Sequence, residues 1–326
     1  MSDWRYLFAQ NRGTMLAFVF FVAMFAVYAG NHPAGFNANI VQTAANKGAL
    51  LALVAMSQTF VVITAGIDLS VGSVFVLSNC LASTIVVGSA FSAALGVVGV
   101  LATGLVCGAI NGLIVIVGRL QPIVATIATG AVFFGFALVL RPTPGGDVYG
   151  PLADALTGRI LGVLPASLAG LALIVLIVWI PYSRTAIGRA AYAVGSSEQA
   201  AYMSGVPVDG AKFWAYALSG LTASMGGLFL TFVTYSGEAS AATGGSYTLY
   251  SIAAVVLGGV SLYGGSGSAI GAIFGALMFR TIGDLLFVFN LEPLWQPLFQ
   301  GLVLLAAVSI GAARLFQVRN RLELFP

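Results

Sequence analysis

The sequence predicts an all-α, polytopic membrane bundle of about ten transmembrane helices with both termini in the cytoplasm. Three observations carry this. Hydrophobic residues make up 59% of the 326 and charged residues only 7%, whereas an ordinary soluble domain is about 25% charged. Mean hydropathy is +1.01. The few charges are also clustered, leaving charge-free stretches long enough to cross ~30 Å of hydrocarbon, which takes about 20 residues.

Taken in order, Thr14–Gly30 and Gly48–Ile67 supply two crossings. Leu69–Gly118 is charge-free over 50 residues and holds two, with a turn at Gly88-Ser89. Leu120–Leu140, Ile160–Ser183 and Phe213–Gly237 supply one each. Ala239–Phe279 breaks at Tyr263-Gly264-Gly265-Ser266-Gly267, giving an eighth helix and a ninth that runs on to Phe289; Pro293–Ala313 is the tenth. The polar start Met1–Gly13 leads into the first crossing without a small-residue cleavage site, so it reads as a membrane helix and not a removed signal.

An even number of crossings puts both ends on one side. With the ends cytoplasmic, Arg5, Arg12, Arg119, Arg184, Arg189, Lys212, Arg314, Arg319 and Arg321 lie inside, nine of the thirteen basic residues. Arg141 and Arg159 lie outside, and Lys47 and Arg280 fall near or within spans. This agrees with the positive-inside bias of short loops. The chain reads as one transmembrane domain over residues 1–326, with an outward loop at 141–162 and a cytoplasmic loop at 183–212.

Composition and motifs argue against catalysis. The single histidine, His32, has no zinc-ligand partner, and neither a phosphate-binding loop nor a nucleophile elbow is present. Cys80 and Cys107 lack metal or redox spacing, so no metal site is expected. Gly104, Gly108 and Gly112, and again Gly267, Gly271 and Gly275, recur every four residues, which places each set on one helix face for close backbone packing. A faint repeat relates Gly66–Gly72 to Gly259–Gly265, consistent with a parallel duplication of helices.

The cytoplasmic loop carries a short helix defined at both ends. Ser196 and Gln199 have capping-box spacing, Gly205 can adopt a left-handed stop, and Pro207 blocks continuation, with loop expected on either flank. A helix of two turns is marginal alone and needs a surface to dock on.

Here a family resemblance becomes specific. Glu198-x-Ala200-Ala201-x-x-x-Gly205 resembles the ATPase-docking loop of ABC importer permeases. Ile63–Ser73, which contains Gly66-Ile67-Asp68-Leu69-Ser70-Val71-Gly72, resembles the ribose-type permease family, as do Thr185–Val206, Asn111-Gly112-Leu113, Leu120-Gln121-Pro122 and Ile252–Gly259. The likeness runs from about residue 37 to residue 301. It implies the multi-pass, non-catalytic permease of an ATP-driven sugar importer in a bacterial inner membrane. It also implies a periplasmic sugar-binding protein, a cytoplasmic ATPase that binds ATP and Mg, and a second permease copy or paralogue. In it Glu198, Ala200, Ala201 and Gly205 would couple the permease to the ATPase.

Polar residues within spans are candidates for the pathway or gate: Asp68, Ser70, Gln58, Asn79, Asn111, Arg280 and Asp284, with Gln300 a further hydrogen-bonding candidate. Asp68 also suits an N-cap for a helix starting near Leu69, and this reading outranks a pathway role. Arg280 and Asp284, four residues apart, are expected to pair on one face. The relatives tend to carry uncharged polar residues there. Were that pair to couple an ion, the chain would instead be a secondary transporter.

Overall fold

The structure, a computed structural model, describes residues 12–319. Among the described residues thirteen α-helices follow one another: α1 (Arg12–Asn31), α2 (Ala38–Ile63), α3 (Val71–Ile85), α4 (Ala90–Val117), α5 (Pro122–Leu140), α6 (Gly150–Thr157), α7 (Ala166–Arg184), α8 (Ala186–Ser196), α9 (Glu198–Met203), α10 (Val208–Thr234), α11 (Ala241–Leu257), α12 (Ala269–Val288) and α13 (Gln296–Arg319). A two-stranded hairpin, β1 (Arg159–Ile160) and β2 (Leu164–Pro165), precedes α7. The protein is thus all-α and polytopic. Among the described residues seven helices are long and apolar enough to span a bilayer (α1, α2, α4, α5, α7, α10 and α12), and α3, α11 and α13 contain shorter apolar segments. Arg5 and Arg321 lie outside the described residues.

Burial ranks the helices. Of the apolar window of α2, 89% is buried, against 17% for α1 and 28% each for α5 and α7. α2 and α10 therefore form the axis, and α1, α5 and α7 form the periphery. The peripheral helices turn large apolar side chains outward, among them Phe136 and Ile177, as expected where the solvent is hydrocarbon.

Small residues let the inner helices approach. A Cβ on Gly104 would lie 2.3 Å from Ser224, and one on Gly108 would lie 2.1 Å from the Tyr216 carbonyl oxygen. Gly112 faces Phe213, so the predicted glycine stripe of α4 is the seam against α10. On α12, Gly271 and Gly275 pack in the same way on the backbone of Gly258 and Ala254. Gly267 does not share that face. It precedes the helix at φ +119° and packs on Val260.

The two repeat loops end their helices alike. At the end of α2, Gly66 N–H donates to Val61 O (3.2 Å) and Ala65 N–H to Val62 O (2.9 Å). At the end of α11, Val260 N–H donates to Val255 O (3.1 Å) and Gly259 N–H to Val256 O (2.9 Å). Both are Schellman turns with a left-handed residue, Ala65 at φ +62° and Gly259 at φ +78°. The structural equivalence is therefore shifted one residue from the sequence match.

The turn at Gly88-Ser89 stands as expected. Gly88 has φ +82° and Ser89 caps α4 in a capping box with Ser92. The segment around the short cytoplasmic-loop helix does not: its flanks are helical, because α8 ends at Ser196 and α10 begins at Val208. α8 is amphipathic, burying Gly188, Ala190, Ala191, Val194 and Gly195, a period that a search for charge-free runs does not register.

Candidate functional site

The break between α2 and α3 folds into the bundle. Asp68 is 2% exposed, and Gln58, Ser70 and Asn111 are fully buried. These four candidates come together. Asp68 Oδ1 accepts from Ser70 N–H (2.9 Å) and Ser70 Oγ–H (2.6 Å), and Oδ2 accepts from Ser219 Oγ–H (3.2 Å). Asn111 Nδ2 donates to Ser70 Oγ (2.7 Å), and Thr129 Oγ1 donates to Asn111 Oδ1 (2.6 Å). The Gln58 amide clamps the Asp68 backbone, donating to its carbonyl at 2.9 Å and accepting from its N–H at 3.3 Å. Ser57 and Ser219 share a further hydrogen bond at 2.9 Å, and Leu69 N–H donates to Thr126 Oγ1 at 3.0 Å.

One polar network thus ties α2, α4, α5 and α10 to the α2–α3 loop. It satisfies a buried carboxylate through hydroxyls and a backbone amide, with no cation in direct contact among the described residues. Asp68 is not the N-cap of a helix at Leu69. α3 starts at Val71 with Ser70 as N-cap, and the carboxylate holds the N–H of that cap residue from two positions before it. Ser57, Ser219, Thr126 and Thr129 escaped the sequence reading. Each is a single hydroxyl in an apolar helix, and only the fold reveals its partner.

Asn79 lies apart, towards the other end. Its Nδ2 donates to Thr231 Oγ1 (2.9 Å) and Ser236 O (3.2 Å), and its Oδ1 accepts from Glu238 N–H (3.0 Å). It pins the end of α10 to α3. Nearby, Gly145 and Gly237 form a β-bridge. The Tyr235 hydroxyl donates to Asp154, which together with partial burial raises the phenol above its ordinary range.

Arg280 and Asp284 do not pair. Asp284 is taken by Lys47 of α2, with Nζ to Oδ1 at 3.2 Å. A neighbour on another helix has prevailed over the four-residue spacing. Both residues line a cavity of about 300 Å³ between α1, α2, α12 and α13. Gln300 is 2% exposed, and neither amide atom has a partner among the described residues.

At the opposite end, α9 is a helix of six residues. Its N-cap is Ser197, whose Oγ accepts from Ala200 N–H at 3.3 Å. The expected box from Ser196 to Gln199 is absent because Ser196 Oγ turns back to Tyr192 O (2.9 Å) as part of α8. Gly205 has φ +75° and ends the helix as predicted. Ala201 is buried against the body, while Ala200 faces out and Tyr202 and Met203 are 76% and 85% exposed. Glu198 pairs with Lys212 of α10 at 2.6 Å. Beside them lies an open groove of about 920 Å³, lined by Arg119, Glu198, Tyr202, Pro207 and Asp209 among others.

α8, which leads into α9, meets the end of α2 just ahead of the Asp68 loop. Gly265 N–H donates to Ile63 O at 3.0 Å, and a Cβ on Gly195 would lie 1.8 Å from that oxygen. The end of α8, the glycine-rich α11–α12 loop and the end of α2 therefore meet backbone to backbone.

The family described as the permease component of a branched-chain amino acid transport system matches residues 40–308. A probable ABC transporter permease of Sinorhizobium fredii is 40% identical over 277 residues, 84% of this chain and 80% of that protein. A ribose import permease of Bacillus subtilis is 38% identical over 267 residues, covering 80% and 81%. A fructose import permease of Rhizobium meliloti is 33% identical over 270 residues, covering 80% and 74%. No solved structure matches at a significant level. The chain belongs to the ribose-type permease family of ABC importers, as a multi-pass protein of the bacterial inner membrane.

Proposed function

We propose that this permease carries a simple sugar, a pentose, hexose or related hydroxyl-rich solute, from a periplasmic binding protein to the cytoplasm. ATP and Mg are bound by a separate ATPase, and a second permease copy or paralogue completes the path. Relatives named for ribose, fructose and autoinducer 2 support a hydroxylated cargo over the amino acids of the family description. The whole of residues 1–326 serves as one transmembrane domain of ten crossings with cytoplasmic termini. The basic residues support this orientation: Arg119 and Lys212 lie at the α9 end with Arg184 and Arg189, and Arg141 and Arg159 at the other.

The observation that carries the reading is α9 itself. It is capped at both ends, anchored by Ala201 and the Glu198–Lys212 pair, and leaves Tyr202 and Met203 projecting from the body. An exposed aromatic and a methionine on a rigid short helix suit insertion into a groove on a partner. Nucleotide-driven closure of the ATPase would move α9, and the contact from α8 to Ile63 and Gly265 would pass that movement to the α2–α3 and α11–α12 breaks.

Glu198→Lys sets two cations against each other, and Gly205→Val forces a β-branched residue to φ +75°. Both variants are expected to reach the membrane normally and to lose at least about tenfold of the ATPase stimulation by loaded binding protein. Wild-type stimulation in both would remove α9 from the mechanism.

The outer loop at 141–162, extended by the β1–β2 hairpin, is the surface we assign to the binding protein. Its tip residues Leu161 and Val163 are 96% and 74% exposed. A photo-cross-linker at Leu161 is expected to capture the loaded binding protein. Capture of the ATPase would invert the topology.

A further inference from the structure

We propose that the charged cavity between α1, α2, α12 and α13 binds the phosphate of an anionic phospholipid, one lipid per chain. This inference does not depend on which solute is carried.

Lys47 and Asp284 neutralise each other at 3.2 Å. Arg280, half-buried in the same wall, has no ion pair or hydrogen bond among the described residues. A guanidinium stays protonated in any protein environment, so the cavity carries one uncompensated positive charge. Arg280 lies one turn, about 6 Å along α12 at 1.5 Å per residue, further into the bundle than Asp284, the partner of Lys47, where an unneutralised charge is costly. One negative charge would satisfy it. A phosphodiester supplies one, with two oxygens spaced for a bidentate contact to the guanidinium.

The polar capacity of the walls matches a headgroup. Tyr28, Thr43 and Gln296 line the same space. Gln300 lies one turn below Gln296 on the same face of α13, and its buried amide is unsatisfied among the described residues. Nearly all buried amides in native structures have partners, so this one calls for an additional group.

Two features place the source of the phosphate in the bilayer. The cavity is lined by Phe287, which is 63% exposed, and by Tyr28, whose chain neighbour Val27 is 44% exposed. On a bundle of this composition such flanks face acyl chains. In α2, the polar run Gln42, Thr43, Asn46 and Lys47 gives way at Gly48 to an apolar stretch, so Lys47 marks the hydrocarbon boundary where lipid phosphates lie.

The test uses the full-length permease in detergent, titrated with phosphatidylglycerol, phosphatidylcholine or inorganic phosphate and read by native mass spectrometry. Phosphatidylglycerol is expected to bind one per chain and in preference to phosphatidylcholine. Arg280→Gln is expected to weaken it about tenfold and Arg280→Lys less so. Asp284→Asn is expected to tighten it, because the cavity then gains net positive charge. Elution volume and melting temperature confirm that each variant is folded. Equal phosphatidylglycerol binding by wild type and Arg280→Gln, or weaker binding by Asp284→Asn, would overturn the site. Phosphatidylcholine binding as tightly would overturn the anionic preference, and displacement by inorganic phosphate at comparable affinity would overturn the lipid source.

Discussion

Asp68→Asn is expected to keep its melting temperature in detergent within about 2 °C of wild type and to keep uptake in reconstituted vesicles. The Asn carbonyl oxygen can accept from Ser70 N–H and Oγ–H as Oδ1 does now. The new NH₂ can donate to Ser219 Oγ, whose own proton is free to turn to Ser57. Asp68→Ala removes every acceptor at once and leaves the Ser70 N–H buried without a partner. Loss of those bonds and the unmet donor should destabilise by about 3 kcal/mol or more. The folded fraction after solubilisation reads this directly. The structural role predicts a graded series in stability with uptake following it. An Asn variant that folds at wild-type temperature and transports nothing would show that the charge itself serves the gate.

Gly108→Val is expected to be the most damaging single change in the α4–α10 seam. The first added carbon would already lie 2.1 Å from Tyr216 O and 3.0 Å from Gly220 N, both on α10, so the two helices must separate. Gly104 and Gly112 would lose their contacts with α10 in the same movement. Overpacking a dense interior costs about 1–3 kcal/mol in ordinary cases, and backbone displacement of an axial helix belongs at or above the top of that range. Gly170→Ala on peripheral α7 is the control. A Cβ there meets nothing within 4 Å, and a helix gains up to about 1 kcal/mol from alanine over glycine. Melting temperatures that fall steeply for Gly108→Val and hold for Gly170→Ala support a static seam. Similar stability with altered uptake would instead make the seam a sliding surface.

Much of the architecture was legible in the sequence because membrane solvent leaves a strong one-dimensional record. Charge-free length located apolar helices and the breaks at Gly88-Ser89 and at Tyr263–Gly267, the latter within the longer loop between Leu257 and Ala269. The left-handed stop at Gly205 was legible because few residues other than glycine adopt that conformation readily. The four-residue glycine stripe of α4 announced a close helix contact, though not its partner. Local capping was readable only to within a residue: Ser196 and Ser197 both offer a hydroxyl, and the extent of α8 decided which one caps α9.

The solvent, the helical class and the family of this protein each depend on composition, run length or local motif, so all three could be read from the chain alone. Tertiary structure decided the partners of its few polar groups. Asp284 joins Lys47 across 237 positions and leaves Arg280 without an ion pair among the described residues, and Ser219 reaches Asp68 across 151. A buried charge or hydroxyl takes the partner the fold brings within hydrogen-bond distance, and in a bundle of crossing helices that partner is set by packing and not by spacing along the chain.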